Sequence, residues 1–235
     1  MKAAAELRVL NEQIVACRKC PRLVAHREKT AREKRRAFRN EDYWGRPVPG
    51  FGDPRAQLLI LGLAPAAHGG NRTGRVFTGD RSGDFLYARL HEAGFANQPH
   101  SKHRGDGLKL QDAYVTATLR CAPPGNKPLP GEIRNCRPFL EAEVDLLRPR
   151  AVLALGKIAF DGFIRLMRDR GRISSAAPFV FRHGASYALP GSGGAPGPRL
   201  FAVYHPSQQN TQTGRVTPAM YRRVLREVRR FLARA

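Results

Sequence analysis

Four short runs of apolar residues punctuate the chain: Gln57–Leu63, Ala113–Leu119, Ala151–Leu155 and Leu200–Tyr204. Each is continuous and not alternating, which is the pattern of a strand buried on both faces, so together they predict the centre of a parallel sheet. Between them the apolar period lengthens to three or four. Asp84–Glu92, Glu132–Leu147, Lys157–Arg168 and Pro218–Ala233 read as helices, the last gathering Met220, Tyr221, Val224, Val228 and Phe231 on one side. Near the start, Leu7, Leu10, Ile14 and Val15 predict a further helix that ends at Cys17. Strand and helix in alternation imply a layered α/β fold. Its length suits a single domain over residues 1–235, with a cysteine-bearing helix and a basic wrap filling about 1–52.

Two segments break the pattern. Arg22–Phe51 is basic and closes on Gly45, Pro47, Pro49 and Gly50, so it is expected to be an irregular, exposed wrap. Leu189–Arg199 (LPGSGGAPGPR) is rich in glycine and proline and is expected to be a flexible loop. The unusual residues cluster directly after the strands: Gly62–Asp80, Arg120–Gly131, Gly156 and His205–Arg215. In open parallel sheets the ligand lies beyond the carboxyl ends of the strands, so these loops should converge.

Charge narrows the partner. Lys and Arg total 41 against 19 Asp and Glu, a formal net charge of +22. Such a field attracts a polyanion and releases its counterions, which points to nucleic acid. A solvated basic surface gives the same number, so charge alone names no reaction. No apolar run approaches the ~18 residues of a membrane helix. Lys2 and Glu6 place charge where a secretory leader would be apolar, so an intracellular, cytoplasmic protein without membrane contact is expected.

Three constellations carry candidate chemistry. Cys17, Cys20, Cys121 and Cys136 are the whole cysteine content. Inside a reducing cell they suit metal coordination better than disulfides; zinc and an iron–sulfur cluster both accept four sulfurs, and the spacing leaves the two open beside plain unpaired thiols. Gly62–Asp80 admits close backbone approach, yet it is neither a P-loop nor a dinucleotide fingerprint. Within it Asn71, Arg72 and Arg75 suit phosphates, and Phe77 suits stacking on a base. His205 follows the last strand and opens a polar stretch; there it can donate a hydrogen bond to charge developing on a leaving base, or be structural.

Some chemistries are disfavoured. A zinc base deaminase needs H-x-E followed by P-C-x-x-C, but His68-Gly69-Gly70 lacks the Glu and the Cys17–Cys20 pair lies upstream. The motif loops are too poor in acids for a two-metal nuclease, and they show no paired carboxylates of the glycosidase kind. A non-catalytic, zinc- or cluster-stabilised nucleic-acid-binding protein stays open as the alternative.

Taken jointly, GLAPAAHGGNRTGRVFTGD (Gly62–Asp80), HPSQQNTQTGR (His205–Arg215), LRCAPPGNKP (Leu119–Pro128) and the cysteines resemble the uracil-DNA glycosylase superfamily, in its iron–sulfur-containing family 5, type B. The resemblance implies a three-layer α/β/α sandwich with a small parallel sheet of about four strands. It also implies a structural [4Fe–4S] cluster on Cys17, Cys20, Cys121 and Cys136, and a monomer acting on double- or single-stranded DNA. Carried over residue by residue, Ala64, Phe77 and Asn126 would bind the extruded base, His205 would stabilise its negative charge, and Asn71, Arg72, Arg75, Ser207, Gln208, Asn210 and Arg215 would contact DNA. Other families of the superfamily place Asp, Asn or Glu after the first glycine of the first motif. Here that position is Leu63. Asp80 is then the nearest acid in that motif for a catalytic role, and it reads equally as the cap of the following helix. Uracil is the implied substrate, with hypoxanthine and xanthine as further candidates for a more permissive pocket.

Overall fold

The computed structural model describes residues 2–191 and 196–234. All four expected strands form: β2 (Leu58–Gly62), β3 (Ala113–Ala117), β4 (Ala151–Leu155) and β6 (Pro196–Val203). They are parallel and lie in the order β3-β2-β4-β6. Two antiparallel edges enlarge the expected four-stranded sheet to six among the described residues: β1 (Phe51–Gly52) beside β3, and β5 (Ser186–Pro190) beside β6. The expected loop over Leu189–Arg199 is therefore corrected. Leu189, Pro190 and Pro196–Arg199 belong to strands, while residues 192–195 lie outside the described residues. Pro190 is tolerated because β5 is an edge strand, and Pro196–Pro198 because they precede the part of β6 that pairs with β4; the register shifts between Ala188 and Pro190.

Alternation along the strands builds two cores. Leu58, Ile60, Val115, Leu153 and Phe201 face α4 (Arg81–Glu92) and α8 (Pro218–Ala233). Leu59, Leu61, Val152, Leu200 and Ala202 face α1 (Lys2–Ala16), α5 (Pro130–Leu147) and α6 (Lys157–Asp169). The result is the three-layer α/β/α arrangement. Burial on both faces explains why the strand runs carry no alternation in sequence.

The wrap is also corrected. Pro21–Glu33 is a helix, α2, opening on a proline at its first turn and filled with Arg, Glu and Lys, which favour helix. Its apolar period is faint because Arg27 occupies the buried face beside Leu23 and Val24. Only the part beyond it, with a short turn at Arg36–Phe38, runs irregularly to β1.

One ion pair lies wholly inside the second core. Arg120 Nη2 meets Glu143 Oε2 at 2.6 Å, with side chains 1% and 0% exposed. Thr116 Oγ1 donates to the same carboxylate oxygen at 2.7 Å and accepts from Arg120 Nη1.

Candidate active site

The loops after the strands do converge. Phe77, from the loop after β2, and His205, directly after β6, bring their rings to a centroid separation of 5.9 Å with planes tilted by 36°. Glycines seat both. A Cβ on Gly62 would fall 2.8 Å from the Phe77 ring, and one on Gly156, after β4, 3.2 Å from His205 Cβ. Phe77 itself sits in the left-handed region at φ 50°, an uncommon conformation for a bulky residue and one concentrated at functional positions.

His205 takes its charge state from its surroundings. Burial alone pushes its imidazole down to about 4, so the ring is neutral at neutral pH and one nitrogen carries a hydrogen. Its backbone is pinned separately: Asn210 Nδ2 donates to the His205 carbonyl at 2.8 Å. Asn210 and Ser207, expected at DNA, shape this turn. The Ser207 hydroxyl caps α7 (Gln208–Gln212) by accepting from the Asn210 N–H at 3.3 Å, so part of the expected polar loop is a short helix. Gln208 and Arg215 remain exposed, the latter 4.9 Å over the Tyr204 ring.

A cleft of about 1270 Å³ joins three of the expected loops, through Ala66–Gly69, Asp80, Asn126 and Gln208, while Phe77 and His205 lie outside its lining. Asn126 is exposed there, on a turn at Pro124–Asn126 with φ 58°, and Ala64 packs inward against the cysteines. Asp80 does cap α4, accepting from the Gly83 N–H at 2.9 Å through Oδ1. Its other oxygen lies against Gly69, where a Cβ would come within 2.0 Å. Burial raises this carboxyl above the ordinary range.

Asn71, Arg72 and Arg75, expected at phosphates, are instead buried and occupied by the protein. Arg75 pairs with Asp106 at 2.7 Å. Arg72 pairs with Glu41, donates to the Gly79 carbonyl at 2.7 Å and stacks 3.9 Å over Phe38. Asn71 Nδ2 donates to the Arg27 carbonyl at 3.3 Å. Burying a charge requires such partners, and these lie far along the chain where spacing cannot reveal them. The three brace the glycine-rich loop and the short helix α3 (Gly70–Thr73) within it.

Cys17, Cys20, Cys121 and Cys136 line one small pocket between α2, the loop after β3 and α5, with Leu23, Arg27 and Asn135. Burial pushes the Cys136 thiol up to about 12 and raises that of Cys121. N–H donors already point at three sulfurs: Arg27 Nη1 to Cys121 at 3.0 Å, the Arg120 amide to Cys136 at 3.3 Å, and Asn135 Nδ2 to Cys20 at 3.6 Å. Among the described residues no three histidine, cysteine or acidic side chains are drawn together as a single-ion site. Sequence reasoning missed Arg27, which carries no cysteine-like signature.

Fold and site together define a three-layer α/β/α protein with an aromatic–imidazole pair at the carboxyl edge of its sheet. Residues 49–229 match the family model of the uracil DNA glycosylase superfamily. A type-5 uracil-DNA glycosylase of Thermus thermophilus is 54% identical, over 94% of this chain and 95% of its own. Within one organism, Pyrobaculum aerophilum, the type-5 enzyme is 42% identical over 91% of this chain and 88% of its own, whereas the type-4 enzyme is 30% identical over 70% and 68%. The chain belongs to the uracil-DNA glycosylase superfamily, on its type-5 side.

Proposed function

We propose that this protein excises uracil from DNA by hydrolysing the N-glycosidic bond of an everted nucleotide. The observation that carries the reading is the meeting of Phe77 and His205 at the mouth of the sheet. Phe77 offers a stacking surface for the flipped base. The neutral imidazole of His205 donates its hydrogen to a base oxygen as the bond breaks and negative charge collects there; a desolvated donor stabilises that charge far better than water does. Asn126 reads the edge of the base, and Gln208 and Arg215 meet the duplex. Asp80 acts through its second oxygen, which orients water or faces the cationic sugar, while the first keeps capping α4. With Leu63 in place of a polar side chain the pocket also admits hypoxanthine and xanthine. The protein works as a single-domain monomer inside the cell.

A cheap assay tests the whole reading. Purified protein mixed with uracil-containing duplex should leave alkali-labile abasic sites; retardation of the DNA without cleavage would instead mark a binding module. Its pH profile has a definite form. Because His205 stays neutral until about pH 4, single-turnover rates should run flat through ~6.5, where an ordinary histidine titrates. As pH falls further the rate should drop when Asp80 takes a proton, earlier than an ordinary carboxylate would. Asp80→Asn retains a capping side chain but no charge. It should fold normally, excise slowly and lose that low-pH limb; wild-type rates in this variant would leave Asp80 a cap alone.

The four cysteines would hold a [4Fe–4S] cluster. An all-sulfur donor set with N–H groups aimed at three sulfurs fits one, since thiolates in such sites accept hydrogen bonds. Bound there, it would supply structural cross-linking of α2, α5 and the loop that leads from Cys121 to Asn126. Cys136→Ser should therefore abolish a brown visible absorbance and the protein's iron, and expose the 121–128 loop to protease. A colourless wild-type preparation holding zinc would overturn the cluster.

A further inference from the structure

A second basic feature lies outside the cleft. Two guanidiniums lie over the Trp44 ring, Arg104 at 4.4 Å and Arg46 at 5.8 Å from its centroid. The indole is fixed in turn, its Nε1 donating to the Pro47 carbonyl at 3.0 Å and its amide to the Arg72 carbonyl at 2.8 Å. Gly74, in the first motif, provides the seat: a Cβ there would strike Trp44 at 2.8 Å and Arg104 at 2.9 Å. This glycine plays no part in base recognition as argued above. Both arginines are exposed, and among the described residues neither side chain makes an ion pair or hydrogen bond.

Their position gives the feature direction. Arg72 lines the cleft while its carbonyl holds Trp44, and His103 lines the cleft immediately before Arg104. Trp44, Arg46 and Arg104 themselves line a second groove of about 970 Å³, whose walls also carry Arg8, Phe51 and Tyr114 and two acids, Glu12 and Glu28, the latter paired with Arg18. Stacking on an aromatic face orders a guanidinium without neutralising it, so the ordering entropy that a phosphate contact otherwise loses is met in advance.

We propose that Arg46 and Arg104, clamped on Trp44, grip the phosphodiester backbone of the DNA strand leaving the cleft along this groove. The proposal rests on the excision reading for its substrate, but its test is separable from excision.

The test uses the full-length protein and a uracil-containing duplex, with binding measured across a salt series. Arg46→Gln/Arg104→Gln should flatten the slope of log affinity against log salt by roughly 0.9 for each lost contact. The control Arg226→Gln/Arg230→Gln removes the same charge from exposed positions on α8 and should flatten it by less than half as much. Trp44→Phe should keep most of the groove pair's contribution to the slope, and Trp44→Ala should lose that contribution. Single-turnover excision at saturating DNA should match wild type in the double groove variant. Shortening the duplex on one flank, and only on that flank, should erase the difference between wild type and this variant. Equal flattening by both arginine pairs, or none by the groove pair, overturns the clamp. Should wild type bind with this slope difference but release no uracil, the excision reading fails and the clamp stands.

Discussion

Replacing His205 by alanine is expected to slow uracil excision by about 10²–10³-fold, the range seen when one well-placed donor to a developing anion is removed, or about 2.7–4 kcal/mol. The geometry makes the result interpretable. The carbonyl of residue 205 is held by Asn210, and the turn that follows is capped by Ser207, so neither depends on the imidazole. Phe77 keeps its own seat at Gly62. DNA affinity should therefore change little, and the loss should appear in the single-turnover rate constant. A donor of other shape, His205→Gln, should recover part of the rate. An alanine variant that excises at the wild-type rate would remove the imidazole from the chemistry.

The largest effect on stability should come from Glu143→Ala. Deleting this carboxylate strands the Arg120 guanidinium in the core with only the Thr116 hydroxyl beside it. An uncompensated buried charge costs about 3–5 kcal/mol, and at ~2–4 °C per kcal/mol for a chain of this size the melting temperature should fall by roughly 10 °C. The damage should also reach the cysteines, because the Arg120 amide donates to Cys136 Sγ and Cys121 is its neighbour. Arg120→Met/Glu143→Leu, which removes both charges and fills the space, should restore most of the melting temperature. A single variant as stable as wild type would show that water or a shift of Arg120 relieves the charge.

The parts of the fold legible in sequence were those whose burial is governed by one continuous face. The central strands read clearly because both their faces are covered, and Pro218–Ala233 matches its helix to the residue. The helix at Pro21–Glu33 was hidden by Arg27, a charged residue on the inner face whose guanidinium donates to Cys121 Sγ and the Cys17 carbonyl. The edge strands were hidden by glycine and proline, which a strand accepts at an edge, at its start or at a bulge. At the site, His205 was legible because it directly follows a strand, and Phe77 because it is the aromatic residue of the glycine-rich stretch after one. Arg72 and Arg75 were misplaced because their carboxylate partners, Glu41 and Asp106, lie in other loops. Trp44 is illegible in the sequence for the same reason: one of the two arginines that meet on it, Arg104, comes from a distant loop.

The borders of the sheet carry a last consequence. One border is a two-residue strand ending on Gly52, and the other bends out of register before Pro190. Such rims offer no long, flat row of amides on which a second polypeptide could zip. A chain packed with aliphatic strands thus avoids self-templated fibres, and its cationic exterior stays available for polyanions.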